Sequence, residues 1–220
     1  MRPAPFHYAP PTDPHLTVLH RDDDLLVLSK PSGLLTVPGK EADLADCLEK
    51  RARDADPEAL LVHRLDRDTS GIVLMARNRK AQRHLGLQFE RRMTQKIYIA
   101  RVWGRVMGES GCVDAALSCD WPNRPKQMID NENGRPAQTE WNVMDREAMS
   151  TRLMLRPLTG RSHQLRVHML SLGHPVLGDN FYAHDEALKA ADRLQLHAAE
   201  LTIRHPADGR FCTFHDPCPF

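Results

Sequence analysis

Asp66 sits in the run His63-Arg64-Leu65-Asp66-Arg67-Asp68-Thr69-Ser70-Gly71, which sets carboxylates among arginines in a short link between two apolar segments. A carboxylate placed beside guanidinium groups can act as a nucleophile toward a substrate whose own charge those groups neutralise. A turn explains the same residues, because Asp68 or Ser70 can bond local backbone and Gly71 adds conformational freedom. A second run, Leu158-Thr159-Gly160-Arg161-Ser162-His163-Gln164-Leu165-Arg166-Val167-His168, leads from a glycine turn into a helix with Ser162 as its expected cap. His163 and Arg166 are three apart and share a face, whereas His163 and His168 are five apart and diverge. That spacing argues against a histidine metal grip, and no acidic partner stands at ligand spacing, so no metal is expected.

The segments around these runs must position them. Leu60-Leu61-Val62 and Ile72 to Ala76 read as buried strands flanking the Asp66 loop. Upstream, Leu16 to His20 and Leu25 to Lys30 are strand-like, and Lys30-Pro31-Ser32-Gly33-Leu34-Leu35-Thr36-Val37-Pro38-Gly39 is a shaped loop. Leu44, Cys47, Leu48 and Arg51 have helical spacing with Asp43 as the expected cap, and Asn78 can cap a helix carrying Ala81, Leu85 and Phe89. From Thr94 the chain reads mainly as strand: Ile97 to Val102, Thr139 to Met144, Arg152 to Leu158, Leu194 to Ile203 and Phe211 to Phe214. Leu165, Met169 and Leu172 make one face of the helix that Gly173 ends. Strands predominate without βαβ alternation, so the expected fold class is α+β around a mixed, largely antiparallel sheet.

The chain has 220 residues, 41% of them hydrophobic and 27% charged, with no apolar run near the roughly 20 residues that cross a bilayer and no signal-peptide core at Met1-Arg2-Pro3-Ala4-Pro5. A cytoplasmic location is expected. Five scattered cysteines without a Cys-x-x-Cys pair fit reduced thiols. Residues 1–15 hold five prolines and read as an extended arm, with 16–220 as one domain. The net charge is only +1, yet residues 61–105 carry eleven Lys/Arg against three Asp/Glu. Such a local excess suits an anionic nucleic-acid backbone, although Arg77, Arg79, Lys80, Arg83, Arg91 and Arg92 could simply solvate a helix face.

Taken with Lys30-Pro31-Ser32-Gly33, the His63–Gly71 and Gly160–His168 runs resemble the RluA family of pseudouridine synthases, in family order and over about Leu16 to Phe214. Cys119 to Gln127 and Gly173 to Asp179 extend the resemblance. The resemblance implies a pseudouridine synthase fold with its cleft across the sheet, and isomerisation of a uridine within RNA. Asp66 matches the catalytic aspartate, Arg166 the arginine that pairs with it, Tyr98 of Lys96-Ile97-Tyr98 the active-site tyrosine, and Leu165 the apolar residue lining the base pocket. Without the resemblance, Tyr98 and Leu165 would read as core, and Asp66 with Arg166 as a structural ion pair.

A stacked uridine must be flipped to be reached, and Arg64 matches an arginine that displaces the base or fills its place; a phosphate contact or a salt bridge to Asp68 explains Arg64 as well. Arg67, Arg101, Arg124, Lys126 and Arg161 are candidates for backbone contacts. The resemblance implies no cofactor, and a stem-loop of large-subunit ribosomal RNA, the anticodon arm of transfer RNA, or both as substrate. Nothing before Leu16 is long enough for the small S4-like RNA-binding domain of many relatives. Attack at C1′, addition at C6 and a glycal route all remain open. Two other readings are a non-catalytic RNA-binding module and a carboxylate-dependent nucleoside or glycoside hydrolase, which needs a second acid opposite Asp66.

Overall fold

A computed structural model describes residues 8–220. Twelve strands and four α-helices are present among them: β1 (Thr17–Arg21), β2 (Leu25–Lys30), α1 (Leu48–Ala55), β3 (Leu60–Leu61), β4 (Ser70–Ala76), α2 (Arg79–Glu90), β5 (Gln95–Trp103), β6 (Ser110–Asp114), β7 (Leu117–Cys119), β8 (Gln127–Ile129), β9 (Gln138–Arg146), β10 (Ser150–Pro157), α3 (Gln164–Ser171), α4 (Asp185–Lys189), β11 (Leu196–Arg204) and β12 (Phe211–His215). The central sheet runs β1-β2-β4-β11-β5-β10-β9-β6, with β12 also on β11 and β3 also on β4. β4 and β11 are parallel and their neighbours antiparallel, so the sheet is mixed and largely antiparallel, as expected from the sequence.

β4 is buried on both faces, which explains its unbroken apolar run. Ile72, Leu74 and Ala76 pack with Ala81 and Leu85 of α2, while Val73 and Met75 pack with Leu48 and Ala52 of α1. Gly71 at the start of β4 has φ +111°, and a Cβ there would lie 2.3 Å from the Ala198 carbonyl oxygen of β11. Glycine thus permits the parallel pairing that places the Asp66 loop over the sheet. A second cluster joins Ala100 and Val102 of β5, Leu153 and Leu155 of β10, and Leu165 and Met169 of α3.

Asn78 caps α2 as expected, its Oδ1 accepting the Ala81 amide at 2.8 Å. Two other expected caps are displaced. Cys47, not Asp43, caps α1, with its sulfur accepting from the Lys50 amide, because residues 42–44 form a separate short 3-10 turn. α3 starts after His163, not Ser162; His163 takes left-handed backbone with φ +53° and its side chain caps nothing. The Gln164 side chain satisfies the local backbone instead, accepting the Arg161 amide at 3.0 Å. β6, the β7–β8 hairpin and α4 were not expected from the sequence. Residues 1–7 of the expected arm lie outside the described residues; Tyr8 is packed down, donating its hydroxyl to the Asp46 carbonyl at 2.7 Å.

Candidate active site

Asp66 reaches its position through main-chain bonds on both sides. The Thr36 hydroxyl donates to the Leu65 carbonyl at 2.7 Å and accepts the Leu65 amide at 3.2 Å. The Arg67 carbonyl accepts from Lys30 Nζ at 2.7 Å and from the Gly33 amide at 3.0 Å, and the Ser32 hydroxyl donates to the Asp68 carbonyl at 2.6 Å. The Lys-Pro-Ser-Gly loop is therefore a clamp on the Asp66 loop. Lys30 ends β2 fully buried, with its Nζ also donating to the Leu34 and Pro31 carbonyls. Burial pushes Lys30 down to about 7, against the pull of Asp68 and Asp66, while three carbonyls supply one acceptor for each ammonium proton.

Arg166 comes from the opposite side, on the buried first turns of α3. Its Nε and Nη2 donate to the two oxygens of Asp179 at 2.7 and 2.6 Å, and its Nη1 stands 3.6 Å from Asp66 Oδ2. The expected Asp66–Arg166 pair is thus an approach, and the direct partner of Arg166 is Asp179. Burial works against the Arg166 charge, yet the Asp179 hydrogen bonds and the charges of Asp179 and Asp66 push it above its ordinary value. Asp179 is fully buried and also accepts the Phe181 and Tyr182 amides at 2.9 and 3.2 Å. The Asp66 carboxylate is partly exposed and accepts no hydrogen bond among the described residues, which leaves its lone pairs to a substrate.

Between these two supports lies a cleft of about 470 Å³, in the range of small-molecule pockets. Asp66, Arg166, Tyr98, Leu165, Arg64, Arg67 and Arg161 all border it. Asp66 is the one carboxylate among the described residues that line it, facing a wall that also includes Lys96. Lys96 and Tyr98 are two apart on β5 and so share a face. Burial and the nearby Asp66 charge raise the Tyr98 pKa, keeping its ring a neutral apolar face with a hydroxyl. His63 stacks on Phe89 with centroids 4.5 Å apart and accepts the Leu74 amide at 2.9 Å; burial, with some help from Lys96, pushes it down to about 3, so it is a neutral support.

Arg64 is exposed at the cleft and has no hydrogen-bond or ion-pair partner among the described residues. Arg67 instead grips Asp68, with two bonds of 2.7 Å. Arg161 donates to the Pro136 carbonyl at 3.2 Å. Arg101, Arg124 and Lys126 do not line the cleft: Arg101 pairs with Glu147, Arg124 stacks over Trp121 at 4.3 Å, and Lys126 lies in the β7–β8 hairpin. Arg79, Lys80, Arg83, Arg91 and Arg92 face solvent on or beside α2 and do not line the cleft. Among the described residues no three His, Cys, Asp or Glu side chains gather as metal ligands, and no helix is long and apolar enough to cross a membrane.

The RNA pseudouridylate synthase family model matches residues 24–171, spanning the clamp, the Asp66 loop and α3. The chain belongs to the RNA pseudouridylate synthase family. It is 53% identical to a dual-specificity RNA pseudouridine synthase RluA of Salmonella typhi, over 97% of this chain and 98% of the relative. The corresponding Escherichia coli (strain K12) protein is 52% identical over the same shares. Among solved structures, human RNA pseudouridylate synthase domain containing 1 is 30% identical with a TM-score of 0.78, covering 93% of this chain and 84% of that one. This pseudouridine synthase is thus an isomerase acting on RNA, and its α+β architecture is that of its relatives. Sequence reasoning missed Asp179, His163, Lys96 and the mechanical role of Lys30. Asp179 carried one signal, a lone acid after Gly178 in an apolar stretch, and Lys30 another, a charge ending the apolar strand β2.

Proposed function

We propose that this chain isomerises uridines in stem-loops of large-subunit ribosomal RNA, of the transfer RNA anticodon arm, or of both, with Asp66 as the catalytic carboxylate. The observation that carries this reading is the cleft carboxylate of Asp66, 3.6 Å from a buried arginine and, among the described residues, the one carboxylate lining the cleft and without a hydrogen bond of its own. In the reaction the N1–C1′ bond breaks, the base turns, C5–C1′ forms, C5 loses its proton and N1 gains one. Asp66 acts beneath the sugar and base, Tyr98 offers a ring face to the uracil, and Leu165 closes the pocket, a reading supported by all three lining one cleft. Arg166 orients Asp66 and balances its charge.

The target nucleotide has to leave its stack to enter the cleft. Arg64, exposed at the rim and unpaired among the described residues, suits the vacated place, where its planar guanidinium can stack between bases. Arg161 supplies positive charge to the flanking phosphates, whereas the charge of Arg67 is taken up by Asp68. The dual specificity in the relatives' names supports two classes of RNA target. Residues 16–220 act as the catalytic domain, in the cytoplasm, where such RNA is found. A hydrolase would need a second acid opposite Asp66, whereas Asp68 is held by Arg67 and borders a different cleft.

The test uses RNA labelled with tritium at uridine C5, followed by pseudouridine mapping. Wild type releases the label and leaves pseudouridine at defined positions, and Asp66→Ala does neither. Equal activity of the two proteins would remove Asp66 from the chemistry, and release of free uracil would replace isomerisation by hydrolysis.

A further inference from the structure

His163 stands beside Asp66 without a role in the chemistry described so far. Its Nε2 lies 3.9 Å from Asp66 Oδ2, beyond hydrogen-bond length but within one small rotation of the carboxylate. Its Nδ1 lies 2.7 Å from Tyr182 Oη. The Tyr182 hydroxyl oxygen already accepts the Gln127 amide proton at 2.8 Å. Its single proton has one acceptor within reach among the described residues, His163 Nδ1. Donors therefore run from the Gln127 amide to Tyr182 and from Tyr182 to His163 Nδ1. This order leaves the imidazole proton on Nε2, the nitrogen that faces Asp66.

The surroundings hold the ring in that orientation. Phe181 stacks on it with centroids 5.5 Å apart and planes at 22°, and Tyr182 meets it edge-on at 5.6 Å. The backbone of His163 is left-handed, a conformation uncommon for residues other than glycine and kept where surrounding contacts over-determine it. Burial lowers the His163 pKa, opposed by Asp66, while Arg166 lowers it further and Asp179 and Asp68 raise it. The ring is thus a neutral donor at neutral pH.

We propose that His163 is a positioning residue for the catalytic carboxylate: Tyr182 fixes it as the Nε2–H tautomer, and that N–H takes hold of Asp66 when the uridine enters. Arg166 and His163 then hold the carboxylate from two directions, one ionic and one neutral. The proposal rests on the reading of Asp66 as the catalytic group. It also gives the β7–β8 hairpin a link to the site, since Gln127 of β8 and His163 share one atom, Tyr182 Oη.

The experiment compares wild type with Tyr182→Phe, His163→Leu, His163→Gln and Asp66→Ala by tritium release from one stem-loop RNA. It adds histidine nitrogen NMR of the wild-type protein at pH 7. The spectrum is expected to show His163 protonated on Nε2 and bare on Nδ1. Tyr182→Phe and His163→Leu should lower kcat by about 10- to 100-fold, the range for losing a charge-assisted hydrogen bond, with KM for RNA changed less than about 3-fold. His163→Gln, which can still present an N–H toward Asp66, should recover part of the loss. A spectrum with the proton on Nδ1, or folded His163→Leu with wild-type kcat, overturns the proposal, and the spectrum decides even if a variant does not fold. Asp66→Ala that retains activity would instead overturn the underlying reading.

Discussion

Asp179→Asn tests the support beneath Arg166. The substitution keeps size and shape, and one amide oxygen can still accept the Phe181 and Tyr182 amides, now at 2.9 and 3.2 Å from Oδ1. The other position becomes an NH2 group facing Arg166 Nε, which lies 2.7 Å from Oδ2 in the native protein, so donor meets donor. Arg166 is 1% exposed and Asp179 0%, so water cannot replace the lost acceptor. Breaking a buried pair from one side costs about 3–5 kcal/mol. Asp66, 3.6 Å from Nη1, can recover part of this by swinging onto the guanidinium, so a loss near 3 kcal/mol is expected. For a chain of this size that corresponds to a fall in Tm of roughly 6–12 °C. Thermal unfolding followed by circular dichroism, with urea denaturation for the free energy, measures it. The loss should be nearly the same at about 0.1 and 1 M salt, because buried pairs are little screened. Removing the buried charge as well, as Arg166→Met with Asp179→Asn, which keeps an oxygen for the Phe181 and Tyr182 amides, should be less destabilising than Asp179→Asn alone. A Tm within about 2 °C of wild type for Asp179→Asn, or a loss that salt abolishes, would refute the argument.

Lys30→Met leaves the Pro31 and Leu34 carbonyls without the ammonium donor and the Arg67 carbonyl with the Gly33 amide alone, and should cost about 2–4 kcal/mol in urea denaturation, with kcat falling more than KM rises as the Asp66 loop loosens. Gly71→Ala combines φ +111° with a Cβ 2.3 Å from the Ala198 carbonyl and should cost at least about 3 kcal/mol or prevent folding, whereas Gly86→Ala, inside α2 with nothing within 4 Å, should stabilise by about 0.5–1 kcal/mol. His63 binds its proton less readily folded, at about 3, than unfolded, at about 6.5, so the unfolded chain holds more protons between those values and stability falls as pH drops through that window. From pH 7 to 4.5 this contributes about 2–3 kcal/mol, and urea denaturation of His63→Gln should show a correspondingly shallower pH slope.

The chemistry-bearing runs were legible because each is contiguous: the Asp66 loop and the Gly160–His168 stretch carry their residue types side by side. β2 and β4 were legible because apolar residues fill them without interruption, and α2 because its cap and stripe agree. What stayed hidden depends on distance in the chain. The partner of Arg166 lies 13 residues onward in a coil, and nothing in periodicity links Asp179 to an arginine of α3. Ser162 looked like a cap because serine commonly is one, but Gln164 reaches back to the Arg161 amide and moves the helix start past His163. Arg67 read as a phosphate contact until its neighbour Asp68 was seen to occupy it.

The two halves of the site are fixed by different means, and this explains why they meet without bonding. Asp66 is held through the backbone around it, by Thr36, Gly33, Ser32 and the Lys30 ammonium, so its own side chain spends no hydrogen bond on the fold. Arg166 is held through its side chain, by the Asp179 carboxylate, so it needs nothing from Asp66. Had Arg166 relied on Asp66 for its buried charge, any movement of Asp66 onto the substrate would have left that charge uncompensated, at several kcal/mol. Because Asp179 supplies the compensation, Asp66 can leave the 3.6 Å approach and return to it at little cost. In the reaction proposed above, the Asp66 carboxylate must engage a sugar or base and then release it, which requires that freedom. The buried Asp179–Arg166 pair therefore serves turnover by making the attraction of Arg166 for Asp66 weak enough to break.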